Sequence, residues 1–286
     1  MPELPEVEVA RLGITPYVAD QHIRQLIVRN AALRWPVDLS LLETLKDAHI
    51  THTSRRGKYL ILHCVCADNT HGVLLIHLGM SGSLRIVAHN APLQKHDHID
   101  WVLDECVLRY HDPRRFGSVQ WHGLDDGDYL THPRLIALGI EPFDEAFTGE
   151  YLYQKSRGKK AAIKVALLAG EMVVGVGNIY ASEVLFRCKI HPEKTTESLT
   201  RAQCELLAQN IKIVLQEAIN KGGSTLKDFV NSDGVSGYFQ MHYNVYDRSG
   251  LPCTVCGKTI QRMVQAQRAT YFCAHCQKAS KIRAKT

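Results

Sequence analysis

The 286-residue chain has no apolar stretch able to cross a bilayer. Its most hydrophobic runs, GVLLIHLGM at 72–80 and ALLAGEMVVGVG at 166–177, are too short or are interrupted by charge and glycine. A secretory start is also missing, because MPELPEVEVA is acidic and carries Pro2 and Pro5 where a leader would be basic and then apolar. The expectation is a cytoplasmic protein with no membrane partner. Internal repeats and low-complexity tracts are absent too, which argues against solenoids and disordered arrays. The nine cysteines are an odd number in a chain without an export signal, so metal ligation or free thiols fit better than a disulfide framework.

Acidic residues are scarce at one end. From Met241 onward eight Lys or Arg face the single acid Asp247, whereas the whole chain carries only +5, so the remainder is slightly acidic. A basic module on a near-neutral body suits a polyanion, nucleic acid foremost. A merely solvated basic tail would account only for Lys278 to Thr286.

What is present sorts into two halves. Residues 20 to about 125 alternate short β-branched and aliphatic runs with turn signals (IRQLIVRNAAL, HITHTSRRGKYLILHCVC, GVLLIHLGMSGSLRIVA, HIDWVLDECVLRYHD), the pattern of an antiparallel β-sandwich or barrel. A helix should precede it, with Leu4, Val7, Val9 and Leu12 on one stripe and Pro2, Glu3, Pro5 and Glu6 in the first turn. From about Pro133 the period becomes helical, most clearly where Leu206, Leu207, Ile211, Val214, Leu215 and Ile219 recur at three- and four-residue steps. The fold class expected is α+β and multidomain, divided at 2–130, 131–240 and 241–286.

Cys253-x2-Cys256, sixteen residues, then Cys273-x2-Cys276 is the strongest spacing in the chain, and it offers four thiolates to one tetrahedral structural zinc. No other cofactor is called for. Between the knuckles, TIQRMVQAQRATYF reads as a β-hairpin with Arg268 near its tip, able to meet a phosphate or simply to lie in solvent. In GEMVVGVGNIYASEVLF, Gly175 and Gly177 precede a helix that Asn178 could cap, turning backbone N–H groups toward an anion; such turns are also common structural joints. In HDPRRFG, Arg114 and Phe116 lie at a strand end. Met80 of HLGMSG is expected at a hairpin tip, with a gap-filling core role as the alternative. An exposed Met, Arg and Phe could wedge a duplex open.

Together PELPEVE at 2–8, GKYL at 57–60, HLGMSGSLRI at 77–86, KHDHID at 95–100, DPRRFG at 112–117, VVGVGNIYASE at 173–183, SDGVSGYF at 232–239 and the four cysteines resemble bacterial formamidopyrimidine-DNA glycosylases, from Pro2 to Cys276 and in consistent order. The resemblance implies an N-terminal helix on a β-sandwich, a helix-two-turn-helix domain with a lesion-recognition loop at 224–239, and a zinc-finger hairpin. It implies a monomer that excises 8-oxoguanine and formamidopyrimidines from duplex DNA, then cleaves the abasic strand by β,δ-elimination.

Residue by residue, the resemblance makes Pro2, freed of Met1, the nucleophile, Glu3 the general acid, and Lys58 a phosphate contact and proton donor. His96, Arg115, Lys160, Asn178 and Arg268 would grip phosphates, Arg268 also assisting the second elimination. Met80, Arg114 and Phe116 would fill the void left by the flipped nucleotide. His96 and His98 alternate with Asp97 and Asp100, so a metal there is conceivable, but no further ligand cluster lies nearby. Two departures from the family pattern are a longer hairpin at Cys64 to His71 and a tail beyond Cys276. The nearest rival, the endonuclease VIII class acting on oxidised pyrimidines, usually has glycine at the position of Leu4. A non-catalytic zinc protein binding distorted duplex would need the basic module but no N-terminal proline.

Overall fold

A computed structural model of the chain describes residues 2–222 and 243–279. The loop expected at 224–239 and the tail from 280 onward lie outside the described residues. Two compact units are formed, one from residues 2–137 and the other from 138–220 together with the cysteine module.

The first unit opens with helix α1 (Leu4–Val18), longer than the stripe predicted it, followed by strands β1 (Gln21–Ile23) and β2 (Gln25–Val28) and the single turn α2 (Leu41–Thr44). Seven strands then alternate with short connections: β3 (Ala48–Arg56), β4 (Tyr59–Val65), β5 (His71–His77), β6 (Ser83–Val87), β7 (Asp97–Val102), β8 (Val107–His111) and β9 (Ser118–Gly123). They pair as two antiparallel sheets, β1-β3-β4-β5-β9 and β2-β7-β8-β6. Leu60, Leu62, Leu74 and Ile76 of the first sheet share one buried cluster with Ile99, Trp101, Leu108 and Tyr110 of the second, and α1 contributes Val7, Ile14 and Val18. This is the β-sandwich that the alternating runs predicted.

Strand β7 is buried on both faces, which a half-solvated strand would not be. Its outward carboxylates explain why. Asp100 takes a bidentate pair of hydrogen bonds from Arg109, both at 2.9 Å, and one from Arg29 at 2.7 Å, while Asp97 is paired with Arg85 and with His111 at 2.9 Å. Arg109 then donates to the Pro92 carbonyl at 3.1 Å, tying down the segment that covers the sheet. The acids of KHDHID are thus committed to a buried charge network, which takes both carboxylates away from the conceivable metal site.

The second unit contains helices α3 (Gly149–Ser156), α4 (Ile163–Ala169), α5 (Asn178–Arg187) and α6 (Arg201–Asn220), then hairpin strands β10 (Gln261–Gln265) and β11 (Arg268–Phe272). The two sets of elements share a core in which Phe186 of α5 meets Val245, Cys253, Ile260 and Cys273. Glu183, also on α5 and buried, accepts the backbone N–H groups of Asn244, Val245 and Tyr246, each at 2.9 Å. These bonds satisfy a carboxylate removed from water and fix where the cysteine module begins.

Helices α3 and α6 cross closely at Gly149, where an added Cβ would run into the backbone of Glu205. Gly149→Ala should therefore force the helices apart and destabilise the protein by about 1–3 kcal/mol, measured by urea unfolding.

Candidate functional site

The N-terminus is built around two buried acids. Glu3 caps α1 in an extended conformation (φ −103°, ψ −170°), and its backbone N–H donates to Glu6 Oε2 at 2.7 Å, completing a capping box. Both are almost fully buried, at 1% and 3% exposure. Pro2 is therefore attached to a rigid helix start. Sequence reasoning treated Glu6 as an ordinary first-turn acid; its spacing three residues after Glu3 was the available signal.

One turn further, Glu8 accepts from Arg11 at 2.6 Å and from Arg55 at 3.1 Å, and Arg55 also donates to the Gly57 carbonyl at 3.0 Å. Burial would raise the Glu8 carboxyl, but bonds to Arg11 and Arg55 together with their charges outweigh it and hold the group below the ordinary carboxylate range. Gly57 and Lys58 form the two-residue turn between β3 and β4, with Gly57 supplying the positive φ of 58°. The chain Glu8, Arg55, Gly57 thus sets the turn carrying Lys58 against α1.

Met80 is 42% exposed, which removes the core alternative. It is not at a hairpin tip, however. The connection that carries it leaves β5 in the first sheet and enters β6 in the second, so it is an inter-sheet crossover. The expectation failed because GMSG marks a turn without saying which strands it joins. Phe116 is 41% exposed and the Arg114 guanidinium lies 4.6 Å from its ring centroid. With Arg34, Arg115 and Ala32 they line a pocket of about 540 Å³. Arg34 was not singled out by sequence, where it is one of many cations.

His96 and Arg115 both have left-handed backbones, at φ 76° and 55°, which non-glycine residues adopt only when their surroundings enforce it. The Asp112 N–H donates to the His96 carbonyl at 3.1 Å, and Arg115 N–H to the Asp112 carbonyl at 3.2 Å, so the two residues are held through one shared neighbour. Burial, then the charges of Lys95, His111, His98 and Arg115, lower the His96 pKa from the usual 6.5.

In the second unit, Asn178 does not cap α5. Gly177 is the capping residue and Asn178 the first helical one. Its side chain is engaged elsewhere: Oδ1 accepts from Lys164 Nζ at 2.6 Å, and Nδ2 donates to the Ala269 carbonyl at 3.0 Å. Lys164, fully buried, also donates to Ala269 O at 3.0 Å and Thr270 Oγ1 at 2.7 Å. This lysine was missed by the sequence reading, although a lone cation in the apolar helix IKVALLA was a usable signal. Arg268, adjacent to Ala269, is exposed at the start of β11, and the preceding turn takes positive φ at Ala266 and Gln267 (44° and 61°). Lys160 is exposed just ahead of α4.

The sulfurs of Cys253, Cys256, Cys273 and Cys276 lie within 4.8 Å of one another, with Cys253–Cys276 at 3.9 Å and Cys256–Cys273 at 3.5 Å. Zinc–sulfur bonds of about 2.3 Å at tetrahedral angles need sulfurs roughly 3.8 Å apart, so the set fits a four-thiolate structural zinc. Among the described residues no other cluster of three or more His, Cys, Asp or Glu is poised for a metal. None of the described helices is long and apolar enough to cross a membrane.

Comparison with solved structures gives the class. The wild-type Lactococcus lactis Fpg in complex with N7-benzyl-Fapy-dG DNA superposes with a TM-score of 0.87 at 35% identity, covering 97% of this chain and 100% of that one. The same Lactococcus protein with DNA containing an oxidised pyrimidine gives 0.86 at 35% identity and the same coverage. The architecture is that of a DNA glycosylase of base-excision repair.

Residues 1–119 match the formamidopyrimidine-DNA glycosylase N-terminal domain, 138–230 the H2TH domain of the same enzymes, and 250–279 the zinc finger found in FPG and IleRS. Formamidopyrimidine-DNA glycosylase of Paraburkholderia phytofirmans is 53% identical over 281 residues, which is 97% of this chain and 100% of the relative. The chain belongs to the formamidopyrimidine-DNA glycosylase family, whose members combine base removal with abasic-strand lyase activity.

Two measurements follow from this geometry. Cys273→Ser should lose the stoichiometric zinc and with it DNA binding, seen by metal analysis and gel shift. His77, whose Nδ1 accepts the Gly79 N–H at 3.0 Å, is pushed down to about 4 by burial and by the charges of Lys58 and Arg34. The unfolded chain takes up this proton near 6.5 and the folded one only near 4, so His77 should make stability fall as pH drops through that interval. An NMR titration of the ring should show a neutral imidazole down to about pH 4.

Proposed function

We propose that Pro2, once Met1 is removed, attacks C1′ of an oxidised purine nucleotide in duplex DNA, chiefly 8-oxoguanine opposite cytosine and formamidopyrimidines. The observation that carries this reading is the buried Glu3–Glu6 capping box directly after Pro2, which anchors the residue following the N-terminal amine. An α-amino group has a pKa near ~8 against ~10.4 for lysine, so roughly a tenth of it is free amine at pH 7.

The base departs with the electrons of the N-glycosidic bond, and Glu3 protonates the sugar ring oxygen O4′, so that the C1′–O4′ bond opens as the attacking nitrogen loses its proton and forms a double bond to C1′. A secondary amine yields a permanently cationic iminium, an electron sink. Loss of the C2′ proton then expels the 3′ phosphate, and loss of the C4′ proton expels the 5′ phosphate. Lys58 serves the first elimination and Arg268 the second, while His96, Arg115, Lys160 and Asn178 hold backbone phosphates and so position the duplex. Met80 fills the vacated stack, Phe116 wedges beside the opposite base, and Arg114 offers donors to cytosine O2 and N3. Labour divides as catalysis at 2–130, duplex binding and lesion recognition at 131–240, and zinc-finger contacts at 241–286. The working form is a cytoplasmic monomer.

Borohydride reduction on a duplex containing 8-oxoguanine should trap an adduct that maps to the N-terminal peptide. An adduct on Lys58, or undiminished trapping in Pro2→Gly, would sink the assignment. Arg114→Ala should weaken discrimination by the opposite base. By contrast, Arg115→Ala should weaken binding to all duplexes and reduce the salt dependence by about one phosphate's worth. Uniform loss in both variants with opposite-base preference intact would make Arg114 another phosphate contact.

A further inference from the structure

The crossover carrying Met80 and the loop carrying Arg114 and Phe116 are distant in sequence, yet they are built as one piece. Asp112, which is completely buried, gathers donors from both. Oδ1 accepts the Ser81 hydroxyl at 2.7 Å and the Arg114 N–H at 3.3 Å; Oδ2 accepts the Gly117 N–H at 2.9 Å and the Tyr110 hydroxyl at 3.2 Å. The Arg114 N–H also reaches Ser81 Oγ at 3.3 Å, so the hydroxyl next to Met80 and the amide of Arg114 share a bond directly.

Glycines close the joint. A Cβ on Gly79 would strike the backbone of Phe116 and Gly117, and one on Gly117 would strike the Tyr110 hydroxyl and the His77 carbonyl. The two backbones therefore touch with no side chain between them. Gly79 has a positive φ of 62°, so its position suits glycine on both counts.

We infer that Asp112 is a positioning residue that locks the Met80 plug to the Arg114–Phe116 wedge, so that opposite-base discrimination depends on a carboxylate that itself touches no DNA. The inference rests on the void-filling reading proposed above. Its physical basis is that all four partners of Asp112 are donors. Two of them, the N–H groups of Arg114 and Gly117, cannot reverse, whereas the two hydroxyls can. In Asp112→Asn the amide nitrogen faces one of those fixed N–H groups whichever way the side chain is flipped. A buried N–H without an acceptor carries its full desolvation penalty, enough to release one loop from the other. Ser81→Ala is gentler, cutting only the link to the Met80 crossover.

The test uses the full-length, zinc-loaded protein and two substrates. One is a duplex with 8-oxoguanine opposite C or A, scored as the ratio of excision rates; the other is a single strand with an abasic site, scored as lyase rate. A single strand leaves no void to fill. Asp112→Asn should lower the C:A ratio by about tenfold, and Ser81→Ala in the same direction but less, while both keep single-strand cleavage within about twofold of wild type. Parallel loss of both activities in Ser81→Ala would mark a general structural role and overturn the inference. So would an unchanged C:A ratio in both variants when Arg114→Ala shifts it, and that result would leave the void-filling reading standing. If Arg114→Ala also left the ratio unchanged, the void-filling reading would fail and this inference with it.

Discussion

A carboxylate withdrawn from water has to be met by donors, and in this chain the donors are backbone N–H groups of a helix start and of two irregular segments. Glu6 takes the backbone N–H of Glu3, Asp112 takes those of Arg114 and Gly117, and Glu183 takes those of Asn244, Val245 and Tyr246. Each acid is nearly or fully buried. The cost of leaving such a group unsatisfied is large compared with the net worth of one surface contact, so each loop is held in a single geometry without regular secondary structure. The helix start, the loop carrying Arg114 and Phe116 and the origin of the cysteine module all follow this rule.

Cations are handled in the opposite way. Arg114, Arg115, Lys160 and Arg268 are exposed, whereas Lys164 is buried and spends its ammonium on Asn178, Ala269 and Thr270. The exposed set faces solvent, with Arg114 lying over the Phe116 ring, and the buried one organises the neighbours of Arg268. This division suits a protein of a DNA-repair family, which must meet a polyanion electrostatically and still hold a few groups rigidly.

The sequence was most legible where the chemistry is local. Two C-x2-C knuckles place their own sulfurs, alternating runs mark strands, and a proline and acids at a helix start read directly as an N-terminus; the structure brings all of these together as expected. The family motifs extended this to fold and chemistry, because several of them occur in order along one chain. The reading went astray where a local signal was ambiguous about its partner. GMSG gives a turn but not the sheets it bridges, and GVGN gives a helix start but not that Gly177 caps it and leaves Asn178 one residue inside, its amide bound to Lys164 and Ala269.

By itself, then, the sequence determined the elements, the zinc ligands and the family, since these depend on residue type and short spacing. Tertiary structure alone decided that Asp97 and Asp100 are spent on arginines rather than metal, that Lys164 lies buried under the hairpin, and that Ser81 and Gly117 meet at one carboxylate. These pairings join residues that are far apart along the chain or on neighbouring strands. Nothing in a local pattern encodes them, because each exists only after the sheets have packed and a polar group cut off from water has had to find its partner.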